Sequence, residues 1–221
     1  LLWRPFTSDL RLDFYDINTK VNYIVNENNR VYISFYNGRD QLGGNGELIE
    51  NRGRWGNTVT SAKWNRIINP KLFINTIFTY STFKYQLNES NTYGDSTVGN
   101  TTYHYTNSST IHDASIKVRA NWYPSINNKI ETGIQYTRSN FIPVSIEALS
   151  ASNTTTIQST SFKSNEINLY LEDEIKLSER WSLRPGVHWA NWLRNEYTTS
   201  SLQPRLYSAY KINGSNIIYA S

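Results

Sequence analysis

Alternation of apolar and polar residues with a period of two is the feature that most limits how this chain can fold. The odd positions from 15 to 25 are Tyr, Ile, Thr, Val, Tyr and Val, whereas the even positions from 16 to 22 are Asp, Asn, Lys and Asn. Successive side chains of a β-strand point to opposite faces, so this segment predicts a strand with one apolar and one polar face.

The same alternation returns along the whole chain. It predicts about ten strands of roughly 10–14 residues, longer than the usual strand of soluble proteins and long enough to cross a bilayer at a tilt. After the first, the predicted strands cover residues 31–36, 55–66, 72–86, 111–123, 129–139, 163–177, 181–193 and 202–212, and another begins at Ile217.

The predicted connections are sorted by length. Short turns are expected at residues 26–29, 67–71, 124–128, 178–180 and 213–216, and long polar loops at 37–54, 87–110, 140–162 and 194–201. Short turns at one rim and long loops at the other are typical of outer-membrane barrels. The long loops are rich in Asn, Ser, Thr, Gly and Tyr, so we expect them to be mobile or ordered only by packing on each other or on a partner.

Aromatic residues make up 14% of the chain against only 38% hydrophobic residues, which suits a barrel with a polar lumen and aromatic rims. One group is predicted near the short turns: Tyr23, Trp64, Trp122, Tyr123, Trp181 and Tyr210. A second is predicted near the long loops: Phe35, Trp55, Tyr80, Tyr136, Trp189 and Trp192. Two such groups indicate interfacial belts, although strands are rich in aromatic residues in any case.

Composition narrows the functional classes. The chain has no Cys, which excludes disulfides and thiolate metal sites. The net charge is only +4 and the basic residues stand singly between apolar ones, so nucleic acid is not an expected partner. His104, His112 and His188 have no metal-ligand spacing, and no nucleophile motif is present. We therefore expect no catalytic residue, no metal site and no cofactor.

Polar-face residues are the candidate contacts for a solute. The alternation predicts that Val21, Ile33, Val118, Leu169 and Val187 face lipid, and that Lys20, Lys117, Arg119, Glu172 and Arg184 face the lumen. The candidate lumenal contacts to a solute or a plug are Lys117, Arg119, Glu131, Gln135, Arg184 and His188. The alternative is an ordinary solvated wall in which Glu172 and Glu174 pair with Arg184. Pro185 and Pro204 lack the N–H that a strand donates, which predicts a bulge or an edge-like position.

Several stretches resemble the barrel of TonB-dependent outer-membrane receptors. They are FYDINTKVNY at 14–23 with NRVYISFYNGRD at 29–40, WGNT at 55–58 with KWN at 63–65, and LYLEDE at 169–174 with WSLRPGV at 181–187 and LQPRL at 202–206. The resemblance implies an all-β, antiparallel, up-and-down transmembrane barrel in the cell outer membrane. It further implies binding and import of a scarce solute, such as a glycan, a peptide or a metal chelate.

That family also sets the expected domain organisation and partners. Residues 1–221 are expected to be a fragment of the barrel domain, with the plug domain, its TonB box and the closing strands absent from this sequence. The implied partners are the remaining barrel and plug, a TonB-type energy-transducing protein acting through that plug, membrane lipid and a surface lipoprotein over the external loops. Two alternatives stay open: a plugless porin-like or adhesive barrel, and a soluble all-β carbohydrate-binding protein.

Overall fold

The described part of the chain is built from β-strands. The structure, a computed structural model, describes residues 10–45, 49–95, 99–150, 153–158, 160–194, 197–214 and 216–220. These residues form β1 (Leu10–Asn26), β2 (Asn29–Asn45), β3 (Ile49–Asn69), β4 (Leu72–Asp95), β5 (Gly99–Trp122), β6 (Asn128–Ser150), β7 (Asn153–Gln158), β8 (Phe162–Lys176), β9 (Trp181–Arg194), β10 (Tyr197–Lys211) and β11 (Ile217–Ala220). Within the described ranges, no helix is long and apolar enough to cross a membrane.

All the strands belong to one antiparallel sheet. Each pairs with its sequence neighbours in the order β1-β2-β3-β4-β5-β6-β8-β9-β10-β11, and the short β7 folds back on the end of β6 beside that path. The predicted up-and-down order of ten strands is therefore confirmed. A sandwich of two packed sheets, the soluble alternative, is wrong. Among the described residues there is no buried hydrophobic core, so the sheet does not bury its apolar side chains against a second layer.

The short turns lie where the sequence predicted them, but the long connections differ from the prediction. Most of the residues expected to form irregular loops continue the strands, because β4 and β5 pair from Leu72↔Trp122 up to Asp95↔Gly99. Their Thr, Tyr and Asn residues are polar on both faces yet still complete the backbone ladder. The tips at 46–48, 96–98 and 151–152 lie outside the described residues, as do 159 and 195–196.

The pairing register separates two chemically different faces. Directly paired residues of neighbouring strands share a face, and Val21 pairs with Ile33, Val118 with Ile134, Ile134 with Leu169, and Leu171 with Val187. These residues lie on what we call the apolar face. Lys20, Lys117, Arg119, Glu172 and Arg184 have the opposite parity and lie on the polar face. The predicted division of residues between two faces is confirmed.

Five of the six aromatic residues predicted near the short turns lie on the apolar face, but Tyr123 has the opposite parity and packs against Phe73 on the polar face, with ring centres 5.9 Å apart. Two of their indole N–H groups are bonded to neighbouring strands: Trp64 Nε1 donates to Asn29 Oδ1 at 3.0 Å, and Trp181 Nε1 donates to Ser208 Oγ at 2.9 Å. At the other rim the prediction is only partly correct. Phe35, Tyr80, Tyr136 and Trp189 lie on the apolar face, but Trp55 and Trp192 lie on the polar face, since they pair with Asp40 and Glu166.

The two prolines occupy positions where a strand N–H is not needed. The ladder between β8 and β9 is interrupted between Glu172↔Gly186 and Ile175↔Leu183, a gap that includes Pro185. Pro204 stays in register with Val187 of β9, while the described part of β11 pairs only with residues 208–211 of β10. Both prolines are therefore edge-like, as predicted, and the register of β9 with β10 contains no bulge.

The two faces predict different losses of stability when an arginine is introduced on β5. Val118 is central in the apolar band, so Val118→Arg should destabilise the folded barrel in lipid vesicles by about 2–4 kcal/mol. Ser115→Arg is the matched control because Ser115 lies three positions away on the polar face, and its cost should be much smaller. Urea unfolding of both variants of the intact protein measures the difference. Equal losses would mean that the faces are assigned incorrectly.

Candidate functional site

The polar face brings five of the six sequence-predicted candidates together on four neighbouring strands. Lys117 of β5 pairs directly with Gln135 of β6. One residue row further along, Arg119 pairs with Gly133, Gly133 with Tyr170, and Tyr170 with His188. Glu131 follows in the next row of the same face, opposite Asn121 and Glu172. Residues scattered from position 117 to 188 thus form one patch, which we call the Tyr170 cluster.

Tyr170 is the centre of this cluster. Its hydroxyl donates to Glu131 Oε1 at 3.1 Å, and Arg119 Nε lies 3.5 Å from the same oxygen. The ammonium of Lys117 lies 5.9 Å from the centre of the Tyr170 ring, within the range of a cation–π contact. One phenol therefore joins an acid and two cations from β5 and β6, which fixes the direction of each side chain along the wall.

A glycine makes this arrangement possible. Gly133 lies directly opposite Tyr170, and a Cβ on Gly133 would be 2.6 Å from Tyr170 Cε1. A larger residue at 133 would therefore have to displace the ring. The same device occurs on β1 and β2, where the Tyr36 hydroxyl donates to Asp16 Oδ1 at 2.7 Å across the space above Gly38. In both places a tyrosine lies flat along the polar face because a glycine leaves room for it.

The sixth candidate, Arg184, belongs to a separate pair further along β9. Its Nη2 lies 3.0 Å from Glu174 Oε2, and its guanidinium lies 5.7 Å from the Tyr207 ring centre. The predicted pairing of this arginine with a lumenal glutamate is confirmed for Glu174. Asp173 has the opposite parity and accepts a bond from Asn128 Nδ2 at 3.1 Å, so the run from 172 to 174 does not converge on one point.

The remaining candidates make fewer contacts. Gln135 Nε2 donates to Thr137 Oγ1 at 3.3 Å, whereas His188 Nδ1 is shielded from solvent and has no partner among the described residues. His112 lies on the apolar face, where Nδ1 is 3.1 Å from Thr82 Oγ1. Across the described ranges, no group of three or more acidic or histidine side chains is arranged to hold a metal ion. The chemistry of the polar face is that of hydrogen bonding and ion pairing.

The comparisons with known proteins agree with this two-faced sheet. Residues 3–221 match the family model described as "TonB dependent receptor-like, beta-barrel". The chain belongs to the TonB-dependent receptor family. Proteins of this family are integral to the outer membrane, and they are receptors and transporters. Among curated protein sequences, none matches the chain.

Solved receptors of this family share the fold at low sequence identity. BauA, the ferric preacinetobactin receptor from Acinetobacter baumannii, is 11% identical with a TM-score of 0.70, over 96% of this chain and 39% of that receptor. The ferric citrate transporter FecA is 12% identical with a TM-score of 0.69, over 96% and 36% of the two chains. The copper transporter OprC is 10% identical with a TM-score of 0.70, again over 96% and 36%. The chain thus spans less than half the length of these receptors.

Membership of the family gives each face of the receptor its surroundings. In an outer-membrane barrel the outward side chains form an apolar band flanked by aromatic girdles, and the interior is polar. The apolar face therefore contacts lipid and the polar face lines the interior. The short turns mark the periplasmic rim and the long hairpins the extracellular rim. The Tyr170 cluster consequently belongs to the interior wall.

Tyr170 lies between Leu169 and Leu171, so the alternation puts it on the polar face, but no role for it follows from the sequence. The signal that would have identified it is Gly133, because a glycine within a strand marks a place where something approaches the backbone closely. Which tyrosine approaches it depends on the register between β6 and β8, and that pairing joins residues 37 positions apart. The polar orientation of Trp55 could have been inferred from the alternation within β3, because Trp55 and Trp64 are an odd number of residues apart.

Two substitutions separate the contributions of the ring and the hydroxyl of Tyr170. Tyr170→Phe removes the hydrogen bond to Glu131 and should cost about 1 kcal/mol of unfolding free energy, since the bond is partly exposed. Tyr170→Ala also uncovers Gly133 and removes the surface beneath Lys117, so it should cost more. Urea unfolding of the intact receptor in lipid vesicles measures both. Equal costs would show that the ring over Gly133 contributes nothing.

Proposed function

We propose that this chain forms part of the wall and the external hairpins of a transporter that binds a scarce solute and imports it across the outer membrane. The expected solute is a glycan, a peptide or a metal chelate. The observation that carries the proposal is the match of residues 3–221 to the receptor barrel, joined to a sheet whose interior face is polar. The solved relatives are a ferric preacinetobactin receptor, a ferric citrate transporter and a copper transporter.

A row of aromatic and acidic side chains near the extracellular rim supports solute capture. Phe14 pairs with Asp40, Asp40 with Trp55, and Trp55 with Tyr85, so all four share the interior face at one height on β1–β4. Aromatic rings beside a carboxylate suit a ligand with a flat apolar surface and hydrogen-bond donors, such as a sugar ring. Trp192, on the interior face of β9, extends the same chemistry to the later strands.

The unpaired edges of the described sheet support the proposed partners. β1 and β11 are its edge strands, and an unpaired edge is unstable in lipid because its backbone groups have no hydrogen-bond partners. We propose that the rest of a barrel pairs with both edges and encloses a plug domain, on which a TonB-type protein acts. In this arrangement Lys117, Arg119, Glu131, Gln135, Arg184 and His188 contact the plug or the passing solute. A surface lipoprotein over the external hairpins is the remaining proposed partner.

A tryptophan pair tests interior capture. Trp55→Ala should reduce uptake, because it removes the largest ring of the interior aromatic row. Trp189→Ala is the matched control, since Trp189 lies on the lipid face and donates only to Ser200 Oγ at 2.7 Å. Uptake and ligand affinity are measured in cells with equal surface levels of each receptor. An equal effect of both substitutions would argue against ligand recognition by this row.

Shortening the longest hairpin tests the external region. The β3–β4 pairing extends to Ile49↔Asn91 and the described β5–β6 pairing to His104↔Leu149, so the described residues 92–95 and 99–102 extend past the ends of both neighbouring ladders. Because Asn91 pairs with Tyr103, replacing 92–102 by Asn-Gly leaves a two-residue hairpin turn. Uptake should fall while surface level and heat-modifiable mobility stay normal. Normal uptake would remove this tip from the ligand site, and loss of the folded protein would show that it is structural.

A further inference from the structure

Charged side chains of the interior wall are sorted by height. Within six residues of the turn end of each strand, cations far outnumber the described carboxylates of this face, which are Glu131, Glu172 and Glu174. These cations are Lys20, Arg30, Lys63, Lys117, Arg119, Lys129, Lys176, Arg184, Arg205 and Lys211. Nine or more residues from that end, Arg194 is the sole described cation, and the carboxylates include Asp16, Asp40, Glu89, Asp113 and Glu166. The periplasmic half of the wall is therefore the half that needs negative charge.

Two lysines of this basic half have no acidic partner. Lys63 of β3 and Lys117 of β5 lie in one residue row, and each pairs with Ile77 of the intervening β4. No described carboxylate lies within 4.0 Å of either ammonium. Lys63 Nζ is 5.5 Å from the centre of the Tyr32 ring, and Lys117 Nζ lies over the Tyr170 ring. Each ammonium is thus supported by an aromatic ring but is not neutralised within the described part of the chain.

The next row towards the periplasm contains an unsatisfied acceptor. Asn65 of β3 pairs with Asn75 of β4, and Asn75 pairs with Arg119 of β5. Asn65 Oδ1 is shielded from solvent and has no hydrogen-bond partner among the described residues. A shielded acceptor without a partner costs free energy. Asn65 therefore indicates that a donor reaches this row from outside the described sheet.

An apolar groove continues the same surface to the periplasmic rim. Phe73 lies four residues from Ile77, about 13 Å along β4. With Pro70, Tyr123 and Ile126 it lines a groove of about 790 Å³, and Ile126 is 92% exposed. The interior side of β3–β5 thus has an uncovered apolar groove at its rim and two unpaired lysines further in. We call this region the β4 surface, and it consists of the groove, Asn65, Ile77, Lys63 and Lys117.

The position of the β4 surface within the sheet decides what can cover it. β3 and β5 each have a described strand on both sides, so no strand outside the described chain lies beside them. The partner must therefore stand in the lumen. Proteins of this family pair with a plug domain, and barrels of this class have a plugged lumen. A solute is in the lumen only while it passes, whereas a shielded acceptor and an apolar groove need a permanent cover.

We propose that the plug domain of the full-length receptor docks on the β4 surface through an acidic segment that ends in an apolar side chain. Its carboxylates bind Lys63 and Lys117, an N–H group donates to Asn65 Oδ1, and the apolar side chain fills the groove beside Ile126. The inference rests on the proposed function, from which the plug comes. It assigns Lys117 to the plug and not to the passing solute. The change from basic to acidic side chains further up the wall marks the upper limit of this contact.

Zero-length crosslinking of the full-length receptor in lipid vesicles tests the ion pairs. A water-soluble carbodiimide condenses a lysine amine with a carboxylate, with loss of water, where the two groups are in contact. Mass spectrometry of the digested receptor should recover Lys63 or Lys117 joined to an Asp or Glu of the plug. Lys84 and Lys163 are the matched controls, because they are lipid-facing lysines of β4 and β8. They should give no conjugate with the plug.

Release of the plug tests the energetic contribution of the lysines. In urea at which the barrel keeps its heat-modifiable mobility, protease should cleave the plug of the Lys63→Gln, Lys117→Gln variant about fivefold faster than that of the wild type, as expected for two partly exposed ion pairs. Lys84→Gln with Lys163→Gln makes the same change of net charge and should leave the rate unchanged. At about 1 M salt the wild type and the Lys63, Lys117 variant should become equal, because ion pairs are then screened.

A second variant tests the groove without altering a strand. Ile126→Ser changes an exposed turn residue, so the sheet should keep its stability while the plug is cleaved faster. Ile68→Ser is its control, since Ile68 is 42% exposed at the end of β3 and does not line the groove. This pair keeps the proposal testable if the lysine variant does not fold.

Two results would overturn the proposal. One is cleavage of the plug at the wild-type rate in both the lysine variant and Ile126→Ser, which would leave the lysines to the solute path. The other is a set of conjugates that joins Lys63 and Lys117 only to carboxylates of the wall, such as Glu131. A full-length receptor without a plug domain would refute the proposed function together with this inference. The sequence of the full-length receptor shows which of the two has failed.

Discussion

The backbone hydrogen-bond ladder is the interaction on which this structure depends. A strand in lipid cannot bond to water, so each N–H and C=O must find a partner on a neighbouring strand. The described sheet meets this demand through continuous antiparallel pairing from β1 to β11, with no buried core to assist it. The two prolines, which have no N–H to donate, lie where the ladder needs none. Pro185 lies within the interruption between β8 and β9, and Pro204 lies where β10 has no described second neighbour. The ladder also continues into the extracellular hairpins, which explains why polar segments poor in aliphatic residues are ordered.

A single sheet separates two environments, and each face follows its own rules. The lipid-facing band is stabilised by contact with the bilayer and by indole N–H groups bonded at its rim. The interior wall has no apolar layer, so its side chains pair with each other. Tyr170 over Gly133 and Tyr36 over Gly38 show one solution, in which a phenol reaches along the wall to a carboxylate. Such links orient charged groups in a lumen without requiring a buried ion pair.

Two arginines of the interior wall have acidic partners on the same wall. On the interior wall, Arg119 lies against Glu131 and Arg184 against Glu174, so both arginines are fixed by acids of the same wall. Within the described residues, these ion pairs and the Tyr170 hydroxyl link acids and cations of neighbouring strands along the wall.

The sequence by itself determined the strand class, the up-and-down order, the short turns and the division of residues such as Val118 and Arg119 between two faces, because a period of two is local and needs no partner. It also indicated the receptor family through the order of its motifs. Only the tertiary structure decided that most of the described residues of 37–54 and 87–110 extend the strands, and that Tyr170 meets Gly133. Both depend on the pairing and register of neighbouring strands, and a shift of one residue in that register would reverse every face.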